Sequence, residues 1–89
     1  MKAQRELLTK ETFLRDIVGL PAKDIQQVMA KLSLIVEDPT PDGKFKQPIK
    51  HMRGRLYRAR SGNYRILYSY DNRFVNVLML RRRNEATYR

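Results

Sequence analysis

Residues 57–68 read Tyr-Arg-Ala-Arg-Ser-Gly-Asn-Tyr-Arg-Ile-Leu-Tyr, two β-forming runs separated by Gly62-Asn63. A two-residue Gly-Asn turn between such runs predicts a tight β-hairpin. The turn sets the register: Ser61 pairs with Tyr64, and Arg60 faces Arg65 across the ladder. Like charges directly opposed on a sheet are destabilising. Arg58 lies two residues before Arg60, on the same face, because side chains alternate along a strand. Guanidinium groups crowded on one patch of sheet point to a surface that holds something anionic, with phosphate the best geometric match.

The charge distribution agrees with that. The 89 residues carry a net charge of +10. Residues 1–43 hold six basic and seven acidic side chains, net −1, and residues 44–89 hold thirteen and two, net +11. The basic half reads as strands, which disfavours a membrane-surface helix and favours nucleic acid as the polyanion, with an acidic protein as a compatible partner. No 18-residue apolar run exists, so no membrane span is expected, and the first residues lack the apolar stretch of a signal peptide. Zero cysteines exclude disulfides and thiol chemistry. These features together predict a cytoplasmic protein, a single domain over residues 1–89.

Along the chain, residues 3–8 read as a short first strand. Thr9 is placed to cap a helix over about Lys10–Val18, with Phe13, Leu14, Ile17 and Val18 on one side. Gly19 stops it, and Pro21 suits the first turn of a second helix to about Glu37. In that helix Ile25, Val28, Met29, Leu32, Ile35 and Val36 form an apolar stripe. Asp38–Gly43 is loop by its Pro and Gly content, and residues 44–54 continue irregularly. Strands follow over about 55–61, 64–71 and 74–81, with Asp71-Asn72 as the second turn. The expected fold class is α+β: an N-terminal helical hairpin packed on a small antiparallel β-sheet.

The two turns assign faces. Tyr57, Ala59, Tyr64, Ile66, Tyr68, Val75, Val77 and Met79 form an apolar and aromatic face for the helices. Arg58, Arg60, Arg65 and Asn76 share the other with Leu56, Leu67, Phe74, Leu78 and Leu80. That second face is too apolar to be only a solvated surface, and partial cover by chain ends or a partner is expected. Alternation sends Arg82, in the run Arg81-Arg82-Arg83, toward the arginines. Tyr88 lies outside any apolar period and is placed to stack on a base or move a proton. The carboxylates contain no catalytic pair, and no His/Asp/Glu cluster has metal-ligand spacing, so neither metal nor cofactor is expected.

The string from Gly54 to Tyr68, followed by a strand ending Arg-Arg-Arg-Asn-Glu-Ala-Thr-Tyr88, resembles the RelE/ParE superfamily of bacterial toxins. The helical hairpin and the Glu37-Asp-Pro-Thr-Pro41 loop fit the same pattern, so the resemblance spans about residues 5–88. It implies a toxin of a type II toxin–antitoxin system and a cognate antitoxin protein. For RelE-like members it further implies a ribosome-dependent endoribonuclease that cuts mRNA in the A site, in contact with 16S rRNA. By motif position the catalytic set would be Arg58, Arg60, Arg65, Arg83 (or Arg82) and Tyr88. Lys44, Lys46, Lys50, His51, Arg53, Arg55, Arg81 and Arg82 would contact RNA. Many members carry lysines where this chain has Arg58 and Arg60, and some carry a Glu or His that this chain lacks at matching positions, so the proton acceptor is unassigned. Two other functions share the fold: a ParE-like inhibitor of DNA gyrase and a non-catalytic RNA-binding module.

Overall fold

In the computed structural model, which describes residues 5–49 and 56–82, two helices lie on one face of a five-stranded sheet. The chain runs β1 (Glu6–Thr9), α1 (Glu11–Val18), α2 (Ala22–Glu37), β2 (Lys46–Pro48), β3 (Tyr57–Ser61), β4 (Tyr64–Tyr70) and β5 (Phe74–Arg82). The spatial order is β1-β5-β4-β3-β2. Every pairing is antiparallel except that of β1 with β5, which is parallel. Among these residues no helix is long and apolar enough to cross a membrane.

The helices form where the apolar period allows them to bury one stripe. From α2, Val28, Leu32, Ile35 and Val36 are buried; from α1, Phe13 is buried and Ile17 packs beside it. Opposite them stand Ala59, Ile66, Tyr68, Val75, Val77 and Leu80 of the sheet. Burying one such aliphatic side chain contributes roughly 1.5–3 kcal/mol. The stripes are narrower than the sequence suggests: Leu14, Val18 and Met29 are exposed.

Thr9 does not cap α1. It belongs to β1, opposite Val77, and Lys10 takes the N-cap position without a side-chain hydrogen bond. Strand pairing claimed the backbone that capping would have needed. Pro21 sits at the N-cap of α2, one residue before the first turn.

The hairpin register is as the turn requires: Ser61 opposite Tyr64, Arg60 opposite Arg65, Arg58 opposite Leu67. Gly62 has φ +57°, and no residue other than glycine has positive φ among those described. Positive φ at the first central position alone is the pattern of a type II′ turn. Tyr68 donates its hydroxyl to the carbonyl of Pro39 (2.7 Å), and Tyr64 donates to Asp24 Oδ2 (2.8 Å), tying the sheet to the end and the start of α2. Burial pushes the Tyr68 phenol well above its usual range. The hydrogen bond to the Asp24 carboxylate, then burial, raises Tyr64.

Three further features depart from the sequence-based outline. Residues 46–48 form a strand rather than irregular chain. The second turn closes one residue later, with the Asp71 amide bonded to the Phe74 carbonyl. The third is a β-bulge in β5: Leu67 pairs with Met79 but Tyr68 pairs with Val77, leaving Leu78 as the extra residue. Beyond the bulge the faces exchange. Leu80 turns inward, opposite Ile66 and 4% exposed, while Met79 goes to the arginine face opposite Leu67. The expected sides of Met79 and Leu80 are therefore reversed.

Candidate functional site

The outer face of β3 and β4 gathers Arg58, Arg60 and Arg65. The three line one shallow recess of about 30 Å³ together with Lys44, Phe45 and Gln47. That volume accommodates a group the size of a water or one phosphate oxygen. Arg60 and Arg65 are a directly opposed pair, Arg60 exposed and Arg65 half-buried. The strand β2 completes the recess, because Gln47 lies opposite Arg58 in register and its Oε1 accepts from Arg58 Nη2 at 2.8 Å. That bond orients a planar donor group on a half-buried side chain, so the fork is held in place before any ligand arrives.

The loop before β2 is organised by one carboxylate. Asp42 Oδ1 accepts the backbone N–H groups of Lys44, Phe45 and Lys46, at 2.9, 2.8 and 2.9 Å. These hydrogen bonds hold its pKa at about 2, below the ordinary 3.8. Gly43, with φ +77°, lets the chain reverse there. The Arg60 N–H then donates to the Phe45 carbonyl (3.0 Å), fastening the loop to β3. The rim of the recess that carries Lys44 and Phe45 is thereby fixed.

The remaining cations distribute unevenly. Lys46 stands opposite Ala59 on the helix-bearing face, and its Nζ donates to the Asp38 carbonyl at 2.6 Å, away from the arginines. Arg81 takes the register position opposite Arg65, but its Nη1 lies 3.6 Å from Asp16 Oδ1 on α1. The other oxygen of Asp16 accepts the Leu80 N–H (2.9 Å), covering the part of β5 that extends past β1. Arg82 stands opposite Tyr64, on the helix-bearing face, which corrects the expectation that it joins the arginines. The bulge at Leu78 is the cause, since it shifts alternation by one residue. Lys50, His51, Arg53, Arg55, Arg83 and Tyr88 lie outside the described residues. Among the described residues no group of three or more His, Cys, Asp or Glu side chains gathers.

Sequence reasoning placed the three sheet arginines but missed Gln47 and Phe45. A three-residue strand ending in proline gives no alternation long enough to read. Of the apolar residues expected on the arginine face, Leu67 is 2% exposed and Leu56 and Phe74 are half-buried, while Leu80 has turned inward and Met79 has taken a place there instead.

The arrangement can bind an anion by charge-assisted donors from several directions, and the described residues that line it include no carboxylate or imidazole to act as a base. Arginine stays protonated and has no lone pair to accept a proton.

No protein-family model matches the sequence, and neither does any curated protein. Solved structures do match the fold. The archaeal RelE–RelB complex from Pyrococcus horikoshii contains a chain that superposes with a TM-score of 0.77 at 23% identity, over 94% of this chain and 100% of that one. A chain of the RelBE2 toxin–antitoxin complex from Mycobacterium tuberculosis gives 0.71 at 22% identity, over 91% and 100%. YafQ from E. coli gives 0.70 at 13% identity, over 89% and 93%. Two helices on a five-stranded, mostly antiparallel sheet is thus the fold of RelE-like toxins, and this chain has it.

Proposed function

We propose that this chain is the toxin of a type II toxin–antitoxin system and that it cleaves mRNA at the ribosomal A site. The observation that carries the reading is the recess in which Arg58, Arg60 and Arg65 converge with Lys44 on one side of the sheet. The RelE-like fold supports it.

The reaction is attack of a ribose 2′-OH on the adjacent phosphorus. The O2′–P bond forms, the P–O5′ bond breaks, and the products are a 2′,3′-cyclic phosphate and a 5′-OH end. The attacking hydroxyl loses a proton and the leaving oxygen gains one. Negative charge concentrates on the phosphate oxygens in the transition state. Fixed guanidinium donors stabilise that charge more than they stabilise the ground state, and losing one such donor typically lowers the rate by roughly 10²–10³-fold. With no strong base among the residues lining the recess, free RNA should be cut feebly. The ribosome would supply the in-line orientation. Tyr88 is the candidate for proton transfer and Arg83 a further donor.

The proposed partner is an antitoxin protein. Leu14, Val18 and Leu34 are exposed on the helices, and Val18 is 81% exposed, an arrangement that suits cover by a second chain. Structures sharing the fold include a DinJ–YafQ toxin–antitoxin complex from E. coli and a RelB–RelE complex from Methanococcus jannaschii. Co-expression with the product of the adjacent gene should yield a stable complex.

The test is translation in vitro with toeprinting and analysis of RNA ends. The wild type should give A-site breaks with cyclic-phosphate and 5′-OH termini, and Arg65→Ala should lose them. Intact mRNA together with inhibited gyrase supercoiling would replace this reading with the gyrase one. Salt-sensitive RNA binding without any scission would leave only an RNA-binding module.

A further inference from the structure

Phe45 is an apolar ring, 43% exposed, at the rim of a cationic surface. It packs outside the core, yet its backbone is held on both sides, its N–H by Asp42 Oδ1 and its carbonyl by the Arg60 N–H. The ring borders two depressions. One is the arginine recess. The other is a groove of about 390 Å³ along α2, lined by Gln27, Ala30, Lys31 and Leu34 and by the Gly62 turn. Arg60 borders both. Phe45 and Arg60 therefore form the shared border between the arginine recess and an apolar slot beside α2.

We propose that Phe45 is a base-stacking platform: the nucleobase next to the phosphate held by the arginines lies on this ring, inside the α2 groove. The inference rests on the reading of the recess as a site for RNA phosphate. Its occupant is a nucleobase because the groove is mostly apolar and shares Phe45 and Arg60 with that recess, so a group adjoining the bound phosphate reaches it across this border. Its volume is near the lower end of small-molecule sites, which run to roughly 300–1,000 Å³. Gln27 adds an amide that both donates and accepts, as a base edge requires. Lys31 and Lys44 place their ammonium groups 5.1 and 5.3 Å from the ring centre. An exposed cation–π contact is weaker than base–aromatic stacking, and a lysine stem is flexible. An arriving base displaces an ammonium group from the ring, and that group stays close enough to meet the flanking phosphates.

The experiment uses the full chain and a short single-stranded 2′-O-methyl RNA, which binds but cannot undergo 2′-OH attack. Affinity is read by fluorescence anisotropy at one fixed salt concentration. A matched series carries a single abasic site at each position in turn. Phe45→Ala should weaken the intact RNA by about 5- to 100-fold, the usual loss for one stacked base. One abasic position should weaken the wild type by a similar factor and cost Phe45→Ala nothing further. Phe45→Trp should keep the affinity and the sensitivity to that position. Equal loss on intact RNA and on every abasic RNA overturns the proposal, and so does no loss at all. Arg60→Gln separates the two readings. If it weakens every RNA while Phe45→Ala weakens none, the arginine recess stands and the stacking platform falls. If wild-type protein binds none of the RNAs, both fall.

Discussion

The opposed pair Arg60 and Arg65 makes a prediction in which stability and function move in opposite directions. The perturbation is Arg60→Gln, which removes a charge and keeps most of the side-chain stem. Directly opposed residues have Cβ atoms about 5 Å apart, so outward-splayed guanidinium groups sit roughly 7 Å apart. Coulomb's law then gives repulsion of about 0.6 kcal/mol at the dielectric of water and about 2.4 kcal/mol at an effective dielectric of 20. Arg60 is exposed, so the lower figure dominates, and Arg58 and Lys44 on the same recess add to it. We expect a gain of about 1 kcal/mol at low ionic strength. For a domain of this size that is a rise in Tm of about 4–8 °C. The Debye length falls from about 30 Å at 0.01 M to about 3 Å at 1 M, so the gain should nearly vanish in 1 M salt. The assay is thermal unfolding of both proteins across a salt series, with RNA cleavage measured alongside. The proposed cleavage should fall by roughly 10²-fold or more while the low-salt Tm rises. A lower Tm at every salt concentration, or a gain that ignores salt, would refute the electrostatic reasoning.

Three further expectations follow from the geometry. Tyr68→Phe orphans the buried Pro39 carbonyl and should cost about 1–3 kcal/mol in denaturant unfolding. Because the folded Tyr68 phenol has a raised pKa, its contribution is complete below pH 10 and is lost as pH climbs through the folded value, so the wild type should show an alkaline loss of stability that the variant lacks. Asp42 behaves in the opposite sense: its folded pKa is depressed from 3.8 to about 2, so its stabilisation is present above about pH 4 and disappears as pH falls toward 2. Amide NMR signals of Lys44, Phe45 and Lys46 should shift over that interval in the wild type and stay flat in Asp42→Ala. Gly62→Ala should destabilise by roughly 1–2 kcal/mol, since a left-handed φ is strained for alanine. A Cβ there would also come within 3.0 Å of Gln27 Oε1, and a stability equal to wild type in chemical unfolding would contradict this account.

Local chemistry accounts for what the amino-acid order determined unaided. A two-residue turn leaves β3 and β4 a single register, so Gly62-Asn63 alone places Arg58, Arg60 and Arg65 on one face. The apolar period of α2 likewise contains all four of its buried residues, Val28, Leu32, Ile35 and Val36, together with Met29, which is exposed, and Ile25, which is half-buried. Tertiary contact decided the rest. β1 finds β5 as a parallel neighbour, Glu6 beside Phe74, and no local signal encodes a pairing across that separation. That choice took Thr9 from the helix cap. The bulge at Leu78 has neither glycine nor proline to announce it, yet it determines the sides of Met79, Leu80, Arg81 and Arg82. Its physical reason is the core: turning Leu80 inward completes the packing beneath α1 and α2. Gln47 and Phe45 reach the recess only because the Asp42 loop folds back on β3, where strands distant in the chain share hydrogen bonds and a common surface.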